Sequence, residues 1–128
     1  MKALDIKVER TGFPVTLAEV EFFFDCSTEH IEKYESEYVQ VEKKLSELNE
    51  DNIESQKEAL RLGYDVMLGE GAFDKLYGKV PDLIAWINAF FDLSEGIAQN
   101  IEGFKKSQEK KASDVKTKYL KKKATKKG

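Results

Sequence analysis

Residues 69–82 read GEGAFDKLYGKVPD and place three glycines and one proline between two segments of helical pattern. A phosphate-binding loop needs backbone N–H groups that converge on one pocket, with Walker or GxGxxG spacing after a strand. This stretch has neither spacing, follows a helical segment, and places Glu70 and Asp74 where a phosphate would bind. We therefore interpret it as a connection in which Gly69 ends one helix and Gly71 begins a short one.

The apolar residues of this connection and of the segment after it predict the core. Beyond the proline, a broad apolar stripe makes residues 83–104 the most hydrophobic part of the chain and predicts a hydrophobic C-terminal helix. We expect its large side chains to be substantially buried. The predicted core and interaction residues are Phe73, Leu76, Tyr77, Leu83, Ile87, Phe90, Phe91, Ile97 and Ile101.

Two strands are predicted near the start of the sequence. Residues 4–10 (LDIKVER) alternate apolar and charged side chains, and residues 15–24 carry further β-branched and aromatic residues. Gly12 and Pro14 lie between these runs and are interpreted as the turn of a β-hairpin. The predicted hairpin spans residues 4–24, and its unpaired edges are candidates for pairing between chains.

A charged helical hairpin follows the strands. Ser27 or Thr28 is predicted to cap its first helix, and Asp51 with Glu54 forms a capping-box-like start for its second helix. Apolar residues recur at alternating spacings of three and four along the first helix, which is typical of a packing seam. The seam residues are Ile31, Tyr34, Tyr38, Val41, Leu45 and Leu48. The seam and the hairpin together predict a self-association surface, so we expect a homo-oligomer. Its residues are Val20, Phe22, Phe24, Ile31, Tyr34, Tyr38 and Val41.

The predicted class is α+β and predominantly α, in a single domain with a charged tail. A chain of 128 residues has room for one modest core, which we place in residues 1–104, helical over 27–104. Residues 105–128 hold eleven lysines and two acidic residues, a net charge of +9, whereas residues 1–104 carry −12. We therefore predict that residues 105–128 form a basic, partly disordered tail.

The sequence predicts a soluble, cytoplasmic protein without a membrane partner. Cys26 is the only cysteine, which excludes an internal disulfide and a cysteine-based metal cluster. The first residues lack the apolar run of a signal peptide, and no apolar stretch reaches the ~18 residues of a membrane span.

Few residues are candidates for catalysis. His30 is the only histidine, lies beside Glu29 at a helix start, and forms no oriented nucleophile pair with Cys26. The carboxylates fall on solvated faces, where nothing would raise their pKa for acid–base work. Among the tail lysines only Tyr119 is aromatic, which is too little for a platform that stacks nucleic-acid bases. We therefore predict a non-enzymatic protein with no catalytic residue, no cofactor and no metal site.

The order of these segments resembles the small tail assembly chaperones of long-tailed phages of Gram-positive bacteria. The matching positions are the glycine-flanked turn at Gly69, Gly71, Phe73, Lys75, Leu76 and Tyr77 and the stripe from Leu83 to Ile101. The resemblance covers most of residues 4–104 and implies a protein that coats the tape measure protein and keeps it soluble. It also implies that the client is handed to the polymerising tail tube protein in the host cytoplasm.

Two alternatives remain open at this point. The first is a small nucleic-acid-associated regulator whose lysine-rich tail neutralises phosphates, although the acidic residues 1–104 would repel the same polyanion. The second is a structural component of the virion. A nucleic-acid partner is therefore the less expected of the possible partners.

Overall fold

The computed structural model describes residues 2–48 and 52–126, with side chains described as far as Lys116. A two-stranded antiparallel hairpin precedes four helices, which confirms the predicted α+β, mainly α class. By its internal contacts the chain forms two compact units, residues 1–94 and 95–128. The elements are β1 (Gly12–Leu17), β2 (Val20–Asp25), α1 (Thr28–Ser46), α2 (Ile53–Leu68), α3 (Ala72–Lys79) and α4 (Leu83–Lys126).

The hairpin turn lies at Ala18 and Glu19, whose φ angles of 48° and 66° are those of a two-residue hairpin loop. The predicted first strand at residues 4–10 is therefore wrong, because residues 2–10 form neither strand nor helix. Pro14, which we assigned to the turn, lies within β1 instead. A proline is tolerated there because β1 is an edge strand that needs no further hydrogen-bond partner on its open side.

The hairpin packs through Phe24, which is 1% exposed. The Phe24 ring stacks on Phe13 of β1 at 5.3 Å and meets Tyr34 of α1 edge-on at 5.0 Å between ring centroids. Gly12 pairs with Asp25 beside this cluster, and a Cβ atom on Gly12 would collide with the backbone oxygen of Phe24. This aromatic cluster joins the two strands to α1.

Side-chain caps begin α1 and α2. Ser27 is the N-cap of α1, as predicted, and its Oγ accepts a hydrogen bond from the His30 N–H at 3.3 Å. For α2 the N-cap is Asn52, whose Oδ1 accepts from the Ser55 N–H at 3.1 Å. Asp51, which we predicted for this role, lies outside the described residues.

The glycine-rich connection has the conformation that its sequence predicts. Gly69 ends α2 with a φ of 113°, and Gly71 precedes α3 with a φ of 85°, angles that disfavour any side chain. Asp65 of α2 reaches across this turn, and its Oδ1 accepts a hydrogen bond from the Phe73 N–H at 3.0 Å. The short helix is thereby fixed to α2, with Phe73 and Leu76 fully buried.

Tyr64 of α2 lies at the centre of the contact with the start of α4. Its hydroxyl donates to the Trp86 backbone oxygen at 2.6 Å, and the Trp86 indole N–H donates to the Val80 oxygen at 2.7 Å. Burial raises the pKa of Tyr64 above its ordinary value. Phe90 packs edge-on against Tyr64 and over Gly63, where a Cβ atom would strike the Phe90 ring.

Helix α4 continues to Lys126, and the partial disorder predicted for residues 105–128 stays a prediction. Lysine, glutamate, glutamine and alanine all have high helix propensity, and each added residue extends an existing helix at little cost. The side chains of residues 105–116 are exposed, which agrees with the charged pattern of this segment. None of the described helices combines the length and the apolar run that crossing a membrane requires.

Candidate functional site

Phe91 was expected to be buried, and the structure contradicts that expectation. Its side chain is 62% exposed, because α4 turns this position away from the face on which Phe90 is buried. The other predicted core and interaction residues are buried or half-buried. The buried ones are Phe73, Leu76, Phe90, Ile97 and Ile101, and the half-buried ones are Tyr77, Leu83 and Ile87.

The predicted self-association surface is largely occupied within the chain itself. Most of its residues fill the contact between the hairpin and α1 or lie on the inner side of α1. Within the single chain the buried members are Val20, Phe24, Ile31, Tyr34 and Val41, while Phe22 and Tyr38 are half-buried, and their role in self-association stays a prediction. The Tyr38 hydroxyl forms a hydrogen bond with the Ser94 hydroxyl, which ties α1 to α4.

A cleft of about 540 Å³ lies between α1, the end of α2 and the Phe23 ring. It holds His30, whose ring meets Phe24 edge-on at 5.4 Å. Asp65 also lines the cleft, but its carboxylate already accepts the hydrogen bond that fixes α3. The cleft therefore places the His30 ring beside the aromatic rings of Phe23 and Phe24.

Cys26 lies at the end of β2 and is buried. Burial and then the neighbouring Asp25 charge raise the pKa of its thiol, which keeps the less reactive protonated form. Within residues 2–48 and 52–116, no three histidine, cysteine, aspartate or glutamate side chains come together as a set that could hold a metal ion.

A second concavity, the apolar groove, lies where the end of α1, the start of α2 and the start of α4 meet. Its volume is about 270 Å³, and its lining residues are Leu45, Leu48, Gln56, Leu60, Ile87, Phe90 and Phe91. Leu60 and Phe90 are buried, whereas Phe91 is largely exposed beside them. Among the described residues of this lining, Gln56 is the polar one. The groove therefore offers apolar surface to a second molecule.

Phe91, the exposed residue of the groove, belongs to an apolar stripe on α4. Ile84, Ile87 and Phe91 follow one another at spacings of three and four, so they lie along one helical face. Ile84 is 70% exposed and Phe91 is 62% exposed, while Ile87 between them is half-buried. The apolar stripe of this segment thus divides into a buried face and an exposed face.

The sequence indicated part of this groove but not the groove itself. Ile87, Phe90 and Phe91 were predicted as core or interaction residues, and Leu45 and Leu48 as the end of the α1 seam. The contribution of Gln56 was missed, because it depends on how α2 lies beside α4. The apolar stripe of α4 is wider than the stripe of a helix that packs on one face only, and this width indicated that α4 has a second apolar surface.

Residues 18–128 match a family model that is described as a family of unknown function (DUF6673). No curated protein and no solved structure matches the chain. The match includes β2 and all four helices, and hence every residue that lines the groove.

Proposed function

We propose that this chain, which belongs to the DUF6673 family of unknown function, is a non-enzymatic phage tail assembly chaperone that binds and solubilises the tape measure protein in the host cytoplasm. The observation that carries the proposal is the apolar groove with Phe91 exposed at its edge. The resemblance of the glycine-flanked turn and of the stripe after it to tail assembly chaperones supports the identity of the client.

The groove suits an apolar segment of a client protein. The described residues of its lining are leucine, isoleucine and phenylalanine with one glutamine, a set that selects by shape and apolar contact. The exposed stripe on α4 has the spacing with which one helix meets another. The client segment that fits is therefore an amphipathic helix whose apolar face would otherwise promote its aggregation.

The charge of the chain supports a protein client over a nucleic acid. Residues 1–104, which include the whole groove, carry a net charge of −12. This charge repels polyanions and keeps a complex with an apolar client in solution. The lysines of residues 105–128 offer the opposite sign, which suits an acidic surface of the client or of a second copy.

Co-expression with the tape measure protein of a long-tailed phage of Gram-positive bacteria tests the proposal. We expect the native chain to bring the client into the soluble fraction and Phe91→Ser to lose most of this effect. Val39→Ser is the matched control, because Val39 is 59% exposed on α1 and does not line the groove. The proposal fails if the client stays insoluble with the native chain, or if Phe91→Ser and Val39→Ser solubilise it equally.

A further inference from the structure

Residues 2–10, the arm, expose a strand-like pattern that lacks a partner strand among the described residues. Leu4 is 87% exposed, Ile6 73% and Val8 90%, values far above those of the apolar residues in the hairpin. Charged residues stand between them at Asp5 and Lys7. Alternation of this kind is typical of a strand with one buried face, yet none of the residues that the structure describes covers that face.

The hairpin cannot supply the partner. Pairing with β1 ends where the Cys26 N–H donates to the Thr11 oxygen at 2.8 Å, after which Ser27 caps α1 and the chain turns away. The arm thus begins where its neighbouring strand stops. Its base is held by Arg10, whose guanidinium lies 3.6 Å from the Asp25 carboxylate and 4.6 Å from the centre of the Phe23 ring.

The arm is complementary to itself in one antiparallel register. With Ile6 of one copy opposite Ile6 of another, Leu4 faces Val8 and Asp5 faces Lys7, each of these pairs occurring twice. Apolar side chains then share one face of the ribbon, and opposite charges pair across the other. The register is centred on Ile6 and uses only residues of the arm.

In the neighbouring registers the opposite charges no longer pair. A shift of the centre to Asp5 sets that carboxylate opposite its own copy, and a shift to Lys7 does the same for its ammonium group. A parallel, in-register pair places like charges side by side at both positions. Like charges directly opposite each other destabilise a strand pair, so the charge pattern favours the register centred on Ile6.

We propose that residues 3–9 pair in antiparallel fashion with the same residues of a second copy of this chain, with Ile6 opposite Ile6. This inference does not rest on the proposed client. A two-stranded ribbon is only marginally stable by itself, so the arms associate weakly and reversibly. Assembly through the arm leaves the apolar groove out of the contact.

Cysteine substitution at position 6 gives a direct test. Opposite residues of an antiparallel pair have Cα atoms about 4.5–5.5 Å apart, within the reach of a disulfide. We expect purified Ile6→Cys to give a covalent dimer under mild oxidation. Leu4→Cys and Val8→Cys should each stay monomeric alone, since like positions lie about 14 Å apart, but should crosslink when mixed. The native chain, whose cysteine is buried, is the control for unspecific oxidation.

Charge exchange provides a second measurement in the same background. When added to the Ile6→Cys variant, Asp5→Lys or Lys7→Asp should each abolish crosslinking, because each places like charges opposite one another. The two substitutions together should restore crosslinking, because the double variant again pairs opposite charges. The inference is overturned if Ile6→Cys crosslinks no more than the native chain, as it would if the arm occupied the apolar groove. It is also overturned if Leu4→Cys alone crosslinks as well as Ile6→Cys, or if the double charge variant fails to recover.

Discussion

At the scale of single residues, the adjacent phenylalanines Phe90 and Phe91 of α4 differ in burial. Phe90 is 1% exposed and packs between Gly63 and the Tyr64 ring, whereas Phe91 is 62% exposed beside the groove. Their rings still touch edge-on at 5.8 Å between centroids. Successive residues of a helix point about 100° apart, so one can be core and the next can be surface.

Alanine substitution should separate the two roles. Phe90→Ala should lower the free energy of unfolding by about 3–5 kcal/mol, because it empties a buried site. Phe91→Ala should lower it by less than about 1 kcal/mol, because most of its ring already contacts water. Urea unfolding of the two variants measures both values. Equal losses would contradict the assignment of Phe91 to the surface.

At the scale of elements, the sequence predicted best what local chemistry dictates. Ser27 as a cap and Gly69 and Gly71 as helix boundaries were correct, because each acts through its own side chain or backbone conformation. The hairpin turn was misplaced, since Ala18 and Glu19 lack the glycine or asparagine that usually marks such a loop. Gly12 and Pro14 are residue types that favour turns, but here they lie in the edge strand β1.

The candidate site was harder to predict than the helices. The groove requires the packing of three helix ends, and sequence spacing gives the face of each helix without its neighbour. The apolar width of α4 showed that a second surface existed, but the spacing could not say whether Phe90 or Phe91 belonged to it. The burial of the α1 seam could likewise not be predicted from the sequence, because the residues that cover the seam lie in other elements.

The end of α4 should be dispensable for the fold. Truncation after Phe104 removes side chains that are exposed from Lys105 to Lys116, together with the surface ion pair in which Lys106 Nζ lies 3.1 Å from Glu102 Oε1. Exposed pairs of this kind contribute little to stability. We expect the melting temperature to change little, as followed by circular dichroism.

A truncated chain that fails to fold would show that residues 105–128 contribute to the folded core. Its control is a chain truncated after Ile97, which removes the buried Ile101 and should melt earlier. Comparison of the two truncations distinguishes loss of the charged helix from loss of core.

At the scale of the whole molecule, three surfaces differ in chemistry. The groove is apolar, the arm is self-complementary, and residues 105–128 are basic against an acidic remainder. In the proposed chaperone each has its own partner: the groove takes the client, the arm takes a second copy, and the basic segment takes acidic surfaces. Contacts of the basic segment should weaken with added salt, whereas apolar contacts in the groove should persist.

Site-specific photo-crosslinking tests the central claim, that the groove is where the client binds. A photoreactive phenylalanine analogue is placed at position 91 in one variant and at position 39 in the control, and each is irradiated with the tape measure protein present. We predict a covalent adduct with the client from position 91 and little from position 39. A bound client that crosslinks to position 39 and not to position 91 would contradict the account.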